Sequence, residues 1–326
     1  MPKKGEQPEH TASDVLAMIR RGFYGKVKPL SDLDTIEVLP TGIEVLDHWV
    51  LPGGLPIGRS AVSELYSEPD VGKTSLGLHL LGAAQRAGGI GSLIEAENTI
   101  DKTRAPVMGA NPEEIMLLDE KSMEDFILNL RLMLEKIPDG FGPNVFVYDS
   151  LAASSLEAQL ASIAAKEASK RKLANVVGGK ARLMSAELPV IAALIRKKRT
   201  HLCLINQTRE KIGVMFGDPT TTPGGKTTKF QSALRIQLWR GKAFQRDGVD
   251  VGHAVTVKAV KSKFKRPVSK VVLRLDYERG WDNEWALVNF AKDQKVLPKD
   301  AKVSAATVKK ARAELAKLPD WQAVSK

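Results

Sequence analysis

Between residues 60 and 207 the sequence alternates between short apolar runs and longer segments with helical spacing. The apolar runs are SAVSELY (60–66), IGSLIEAE (90–97), PNVFVYDS (143–150) and THLCLINQ (200–207). The helical segments are residues 74–89, 122–137 and 188–199. Apolar strands that alternate with helices favour a parallel sheet covered on both faces. The sequence therefore predicts an α/β fold with a mostly parallel central sheet flanked by helices.

Outside this region the pattern changes. The runs at 233–241, 253–263 and 269–278 alternate between apolar and polar residues, which predicts antiparallel or edge strands. Residues 11–25 predict a short helix capped by Ser13, with Val15, Met18 and Ile19 on one face. We therefore divide the chain into an N-terminal segment (1–45), a core (46–290) and a basic helical tail (291–326) in which Ser304 caps a helix.

The chain is strongly basic, with 49 Lys and Arg against 38 Asp and Glu and a net charge of +11. This balance favours a polyanionic partner, either nucleic acid or a membrane surface, over a merely soluble basic protein. No apolar run reaches the roughly 18 residues needed to span a membrane, and residues 1–10 lack the apolar segment of a signal peptide. The single cysteine, Cys203, indicates a reducing compartment. We expect a cytoplasmic, nucleoid-associated protein.

The stretch YSEPDVGKTS (66–75) resembles the phosphate-binding pattern G-x-x-x-x-G-K-[ST], with Ser67 in place of the first glycine. In such a loop the lysine, here Lys73, reaches the β- and γ-phosphates, and the hydroxyl of Thr74 holds Mg²⁺. The first glycine often takes a backbone angle that a Cβ disfavours, at a cost of about 1 kcal/mol. Because this cost is small, we expect a functional loop. The residues predicted to contact the phosphates are Ser67, Glu68, Pro69, Asp70, Val71, Gly72, Lys73, Thr74 and Ser75.

Three polar residues follow apolar strands at positions where α/β sheets bind their ligands. Asp149 closes VFVYDS, and a carboxylate there suits the second protein ligand of Mg²⁺. Glu97 ends the run LIEAE, where it is placed to activate the attacking water. Gln207 ends LINQ, where its amide is placed to sense the γ-phosphate. With Lys73, these residues predict an ATP-hydrolysing site.

Two long stretches, about 155–182 and 209–229, break the alternation. The first contains AAKEASKRKLANVVGGKAR, with six Lys or Arg against one Glu, and the second is rich in Gly, Thr and Lys. Long loops inside a compact domain are usually functional. Basic side chains neutralise nucleic-acid phosphates whatever the base sequence, and Ile212 and Phe216 are suited to wedging or stacking against bases.

These motifs together resemble the RecA family of DNA strand-exchange recombinases, over about residues 14–290. The resemblance lies in GGLPIGR, DVGKTSLGLHLLGAAQRAGG, IEAEN, VFVYDS and above all INQTREKIGVMFGDPTTTPGGKTTKF (205–230). It implies a RecA-like P-loop ATPase core with a short N-terminal polymerisation segment that packs on the adjacent protomer of a filament. It also implies that the long final stretch is the family's second DNA-binding loop.

The resemblance implies further roles for individual residues. Asp101, Arg104 and Tyr277 correspond to positions near adenine, and Lys261 and Lys263 to lysines that reach the neighbouring subunit's ATP. Its catalytic residues would be Glu97, Lys73 and Gln207, and its metal ligands Thr74 and Asp149. The predicted DNA-binding residues are Lys172, Lys180, Arg182, Arg209, Lys211, Ile212, Gly213, Phe216, Gly224, Gly225 and Lys226.

Four departures from the family pattern concern the loop, the base, the DNA and the tail. Ser67 replaces a glycine, and Arg104 stands where an aromatic residue commonly stacks on adenine. An arginine plane also stacks on a base, which preserves nucleotide binding while base preference changes. Val176 and Val177 stand where the family tends to place a methionine wedge. The tail is basic, where bacterial members often end in an acidic tail.

The sequence thus predicts a DNA-dependent ATPase that forms helical filaments on single-stranded DNA and exchanges strands with homologous duplex DNA. Its cofactors would be ATP and Mg²⁺, and its partners further copies of the chain, mediator proteins and single-strand-binding proteins. Two alternatives remain. One is an accessory protein that binds ATP and coats single-stranded DNA, and the other is a hexameric DNA helicase motor, for which residues 1–45 offer little room.

Overall fold

The computed structural model describes residues 11–22, 35–51, 53–59, 61–97, 99–120, 122–156, 179–210, 220–223, 225–264 and 270–322. Two compact units divide the chain, residues 1–36 and residues 37–326. The predicted boundaries at residues 45 and 290 stay predictions, and residues 291–322 belong to the second unit. Within the described residues, no helix is long and apolar enough to cross a membrane.

In the first unit, helix α1 spans Ala12–Gly22. Thr11 caps it, because its Oγ1 accepts from the N–H of Asp14 at 3.2 Å while the carboxylate of Asp14 accepts from the N–H of Thr11 at 2.9 Å. The predicted cap at Ser13 was therefore wrong by two residues. The reciprocal pair of bonds satisfies two backbone donors at once, which a serine inside the first turn cannot do.

The second unit is built on one large sheet. Within the described residues, nine strands form it in the order β13-β12-β11-β10-β3-β7-β6-β4-β5. The parallel part, from β10 to β5, confirms the predicted parallel core, and β10 to β13 pair antiparallel, as the alternating runs predicted. The strands of this sheet are β3 (Val62–Ser67), β4 (Gly91–Glu95), β5 (Ile115–Asp119), β6 (Asn144–Asp149), β7 (Thr200–Gln207), β10 (Leu234–Arg246), β11 (Val249–Ser262), β12 (Lys270–Asp276) and β13 (Gly280–Trp281).

Short strand pairs and helices surround this sheet. Strands β1 (Val38–Leu39) and β2 (Leu55–Pro56) pair antiparallel, as do β8 (Arg209–Glu210) and β9 (Thr220–Thr221). A π-helical turn spans Leu46–Val50 and a 3₁₀ turn Pro112–Glu114. The helices are α2 (Lys73–Arg86), α3 (Arg104–Val107), α4 (Met123–Lys136), α5 (Gly179–Lys197), α6 (Gly225–Gln231), α7 (Asn283–Asp293), α8 (Ala305–Leu315) and α9 (Pro319–Gln322).

The parallel strands bury both faces, because successive side chains point to opposite sides. On one face Val145, Val147 and Ile205 pack with α2 and the C-terminal helices. On the other face Phe146, Tyr148 and their neighbours pack with α4 and α5. The near-continuous apolar runs of the sequence are the direct expression of this two-sided burial.

The C-terminal helices are anchored on the core rather than free of it. Ser304 caps α8 by accepting from the N–H of Thr307 at 3.2 Å, which confirms the predicted cap. The guanidinium of Arg312 donates to the carboxylate of Glu44 at 2.7 Å. The ring of Trp321 stacks on His48 at 4.2 Å between centroids. The basic side chains of α8 are therefore displayed from a fixed position.

His201 in β7 makes the stability of the fold dependent on pH. Its Nδ1 lies 2.7 Å from the carbonyl oxygen of Pro56 and its Nε2 lies 2.8 Å from Ser63 Oγ. The side chain is fully buried, and this burial lowers its pKa from 6.5 to about 4, although the bond to Pro56 opposes the shift. The unfolded chain therefore takes up a proton between these pH values that the folded chain does not.

We expect His201 to cost the protein about 3 kcal/mol of stability as the pH falls from 6.5 to 4, at about 1.4 kcal/mol per pH unit. Above pH 6.5 the neutral His201 ring makes its full contribution to the free energy of unfolding. Urea denaturation of the wild type and of His201→Gln at several pH values measures it. The variant should be the less stable protein at pH 7, and the gap should narrow toward pH 4. A gap that stays constant would contradict this origin of the acid sensitivity.

Candidate active site

A cavity of about 500 Å³ lies at the carboxyl ends of the parallel strands, between the loop that joins β3 to α2 and the strand ends of β6 and β7. Lys73, Thr74, Glu97, Arg104, Asp149 and Gln207 are among the residues that line it. The sequence predicted this meeting place, because parallel strands present their carboxyl ends at the same edge.

The backbone of the β3–α2 loop departs from ordinary angles at two positions. Asp70 has φ 56° and Gly72 has φ 110°, both left-handed. Ser67, by contrast, is the last residue of β3, pairs with Gln207 of β7 and is not left-handed. The expected strain at Ser67 was therefore wrong. The turn of the loop is made three to five residues later, where Gly72 tolerates it and Asp70 bears it.

The hydroxyl of Ser67 accepts a hydrogen bond that a glycine at this position could not accept. Lys73 Nζ donates to Ser67 Oγ at 3.0 Å and to the carbonyl oxygen of Glu68 at 2.7 Å. Burial lowers the pKa of Lys73, and the negative charges of Asp149, Glu97 and Asp70 oppose that shift. A buried ammonium needs acceptors. In this loop Ser67 and Glu68 supply them.

We expect Ser67→Ala to bind ADP about fivefold more tightly than the wild type. The variant removes one acceptor of Lys73 in the nucleotide-free protein, and a hydrogen bond to a charged group contributes about 1 kcal/mol or more. Losing this bond makes the exchange of Lys73 toward phosphate less costly. Titration calorimetry measures the change. Ser67→Cys, which keeps the side-chain size but accepts poorly, should behave like the alanine variant. Weaker binding by both variants would mean that the hydroxyl contacts the phosphate instead.

Thr74 and Asp149 form the pair that the sequence proposed for a metal ion. Thr74 Oγ1 donates to Asp149 Oδ2 at 2.5 Å. Burial raises the pKa of Asp149 to about 6, although the bond from Thr74 and the charge of Lys73 act in the opposite direction. One hydroxyl and one carboxylate oxygen suit Mg²⁺, which is usually bound by one or two protein oxygens together with phosphate and water. The described residues contain no cluster of three or more His, Cys, Asp or Glu that could form a separate metal site.

Glu97 is held by two donors at the ends of the neighbouring strands β6 and β7. Its Oε1 accepts from Ser150 Oγ at 2.6 Å and from Gln207 Nε2 at 3.1 Å. Strand β4 ends at Glu95, whose own carboxylate accepts from the N–H groups of Thr99 and Ile100. Glu97, which was predicted to end this strand, therefore lies two residues beyond the observed strand end, and its contact with Gln207 joins the predicted base directly to the predicted sensor.

The outer wall of the cavity is formed by β10, β11 and the segment after β12. Arg104 Nη1 donates to the carbonyl oxygen of Tyr277, and Arg240 Nη2 donates to the Tyr277 hydroxyl at 3.0 Å. His253 Nδ1 lies 3.1 Å from the same hydroxyl. Sequence reasoning missed Arg240, His253 and Ser150. The buried stripe of Leu234, Ile236 and Leu238 leads to Arg240 in steps of two, and that period was the available signal.

Comparison with known proteins agrees with this sheet. Residues 13–282 match the family model of the RecA N-terminal domain. The chain belongs to the RecA family. It is 32% identical to Protein RecA of Streptococcus parasanguinis over 305 residues, which covers 91% of this chain and 76% of the relative. It is 31% identical to the chromosomal Protein RecA of Lactococcus lactis and to Protein RecA of Streptococcus pneumoniae, with 91% of this chain and 75% of each relative covered.

As a divergent RecA-family member, the chain is a protein of DNA recombination and repair that binds nucleotide and DNA. Several residues with family-implied roles lie away from the cavity, however. The carboxylate of Asp101 accepts from the N–H of Thr103 at 2.9 Å and borders a neighbouring cavity. Lys261 Nζ donates to the carbonyl oxygens of Lys229 and Phe230 at the end of α6. Lys263 does not line the cavity either. The roles of these residues stay predictions.

The described ends of the two predicted DNA-binding stretches of this RecA-family chain lie close together. Lys180, at the start of α5, is half-buried, and this burial lowers its pKa, with a further contribution from the nearby charge of Arg209. Ser185 Oγ lies 2.7 Å from Thr227 Oγ1 and so joins α5 to α6. Arg182 is exposed. Lys172, Lys211, Ile212, Gly213, Phe216 and Gly224 lie outside the described residues, and Gly225 and Lys226 begin α6 without described side chains.

Proposed function

We propose that the protein is an ATP-dependent recombinase that assembles on single-stranded DNA and exchanges strands with a homologous duplex. The observation that carries this proposal is the bond between Gln207 and Glu97 at the edge of the cavity. Gln207 ends β7, and the chain continues from it within two residues into the second predicted DNA-binding stretch. The side chain of Gln207 thus contacts the candidate catalytic base, and its backbone leads directly into the candidate DNA loop.

The residues of the cavity supply the parts of a phosphoryl-transfer site. Lys73 exchanges its contacts with Ser67 and Glu68 for the β- and γ-phosphates. Glu97 lines the same cavity and would accept the proton of the attacking water. Thr74 and Asp149 would hold Mg²⁺, which neutralises phosphate charge when it is bound. Arg104 and Tyr277, which lie together on the outer wall, would contact the base.

DNA binding follows from the arrangement of the basic stretches. Their described ends converge near Lys180 and Arg209, so cations from both stretches would face the same strand of DNA. Binding through such residues neutralises phosphates and is therefore steeply weakened by salt. Hydrolysis would withdraw the γ-phosphate from Gln207 and change the conformation of the stretch that follows it.

Assembly would place ATP between adjacent protomers. Helix α1 exposes Val15, Leu16, Met18 and Ile19, which gives it an apolar surface suited to a neighbouring copy. Lys261 and Lys263 would reach the nucleotide of that neighbour. Mediator and single-strand-binding proteins would assist loading, and the location would be the cytoplasm, at the nucleoid.

Electron microscopy of the protein with single-stranded DNA tests this function directly. With a non-hydrolysable ATP analogue we expect long helical filaments, and with ADP or without nucleotide we expect few. A strand-exchange assay and a phosphate-release assay with and without DNA complete the test. Equal DNA binding with and without nucleotide, together with an absence of filaments, would contradict the proposal. Unwinding of a duplex without strand exchange would favour a helicase motor instead.

A further inference from the structure

The outer surface of the phosphate-binding loop is contacted by two side chains of the β10–β11 hairpin. Arg240 Nη1 donates to the carbonyl oxygen of Asp70 at 2.6 Å, and His253 Nε2 lies 3.2 Å from the carbonyl oxygen of Val71. These are consecutive carbonyl groups in the part of the loop with left-handed backbone. The hairpin residues are about 170 to 180 positions away along the chain.

The hydrogen bonds among these groups form a connected set with consistent donors and acceptors. A carbonyl oxygen only accepts, so His253 Nε2 carries the proton that is donated to Val71. Nδ1 of the neutral ring then accepts from the Tyr277 hydroxyl, and the oxygen of that hydroxyl accepts from Arg240 Nη2. Tyr277 thus joins Arg240 to His253. His253 is only 2% exposed, so water does not readily replace the bonds that its ring makes.

Holding the two carbonyls also orients the N–H groups beside them. In a trans peptide the C=O and the following N–H point in opposite directions. Fixing the carbonyl of Asp70 on Arg240, and that of Val71 on His253, therefore turns the N–H groups of Val71 and Gly72 away from the hairpin. Successive N–H groups that point one way, next to a helix N-terminus, form the phosphate-binding element of such loops.

Asp70 is the position at which this support matters most. Its φ of 56° costs an L-residue about 1 kcal/mol or more, and no glycine relieves it. Without the bond from Arg240, the peptide between residues 70 and 71 is free to rotate toward an ordinary backbone angle. That rotation removes one phosphate donor from the loop.

We infer that Arg240, His253 and Tyr277 form a brace that presets the phosphate-binding loop for a nucleoside di- or triphosphate. Arg240 and His253 are positioning residues, since they act through the loop backbone, and Tyr277, which would also contact the base, joins the two. This inference rests on the proposed nucleotide-binding function and adds to it the part of the fold that orders the loop. It also connects the two ends of the nucleotide site, because Arg104 donates to the carbonyl oxygen of the same Tyr277.

The test compares ADP affinity, without DNA, in the wild type and five variants. Arg240→Gln, His253→Ala and Tyr277→Phe should each weaken ADP binding, by about tenfold for the first two. Lys242→Gln is the matched control, since Lys242 is an exposed cation of the same hairpin, and it should bind ADP like the wild type. Arg240→Lys separates support of the backbone from direct attraction of phosphate. Lysine keeps the charge but lacks the two-pronged geometry of the guanidinium. The Arg240→Lys variant should therefore bind ADP as weakly as Arg240→Gln does.

Three further readings sharpen the result. The thermal midpoint of each nucleotide-free variant should stay within a few degrees of the wild type. The rate of hydrolysis at saturating ATP should change much less than the KM, because the brace acts before chemistry. Affinity for adenosine, which has no phosphate, should be unchanged in Arg240→Gln and His253→Ala.

Several outcomes would overturn the brace. Wild-type affinity in Arg240→Lys would mean that Arg240 acts on the phosphates through its charge alone. If His253→Ala binds ADP as tightly as the wild type, the bond from His253 to the loop does not order it, and the inference is rejected. If the wild type binds ADP and all variants bind it equally, the brace fails while the proposed function stands. If the wild type binds no nucleotide, both fail.

Discussion

Replacing Glu97 with glutamine is expected to lower DNA-stimulated ATP hydrolysis at least about 100-fold while nucleotide binding changes little. A general base contributes roughly 10²- to 10⁴-fold to a rate, and the amide that replaces the carboxylate has no comparable basicity. The glutamine carbonyl oxygen still accepts from Ser150 and Gln207, so the side chain should keep its place. The loss would then reflect chemistry and not folding.

Phosphate release with saturating single-stranded DNA measures this rate, and ADP titration measures binding. Glu95→Gln is the matched control, because Glu95 lies only two residues before Glu97, at the end of β4, and its Oε1 also accepts two bonds. It does not line the cavity, so hydrolysis in this variant should stay within a few-fold of the wild type. If Glu97→Gln hydrolyses ATP at the wild-type rate, the assignment of the base is wrong. Filaments of the variant should persist longer after ATP is added.

Replacing Arg235 with methionine is expected to destabilise the fold by about 3–5 kcal/mol, the range for a buried charge that loses its partner. Glu64, in the middle of β3, is fully buried, and its Oε2 accepts from Arg235 Nε at 2.5 Å. Asn206 Nδ2 donates to the other carboxylate oxygen at 3.0 Å. Methionine retains most of the aliphatic bulk of Arg235. The carboxylate of Glu64 then loses its ion pair and keeps the hydrogen bond from the Asn206 amide.

Denaturation by urea, without nucleotide, measures this loss. The double variant Glu64→Gln with Arg235→Met should recover part of it, because no unpaired charge then remains in the interior. Lys317→Met is the control, since it breaks an exposed ion pair with Glu314 and should have little effect. A double variant less stable than the single one would show that the loss comes from packing, such as the contact of Arg235 with the Tyr66 ring at 4.6 Å.

The sequence predicted the parallel sheet because burial on both faces leaves a simple trace in the chain. Asp149 and Gln207 were found for the same reason, since each is a polar residue that closes an apolar run. Glu97 was harder to place, because the chain leaves the sheet at Glu95 and two more residues bring the carboxylate back toward Gln207.

What could not be predicted depends on which strands are neighbours. Arg240 and His253 reach the loop because β10 lies beside β3 and β11 lies beside β10, and no local pattern encodes the pairing of β10 with β3. Ser67 was expected to be strained by analogy with a glycine, whereas its pairing in the sheet holds it extended. The cap of α1 was misplaced because serine and threonine are equivalent as caps and only the reciprocal bond of Asp14 selects Thr11.

The β10–β11 hairpin would link two nucleotides if Lys261 reaches a neighbour's ATP, as proposed. His253 contacts the loop of its own protomer, and Lys261 lies eight residues further along the same strand, about 26 Å away at roughly 3.3 Å per residue. With the proposed reach of Lys261 into a neighbour's ATP, one stiff ribbon would span the distance from each triphosphate to the next. Loss of a single γ-phosphate would then change the conformation of adjacent subunits through the protein itself, without involvement of the DNA.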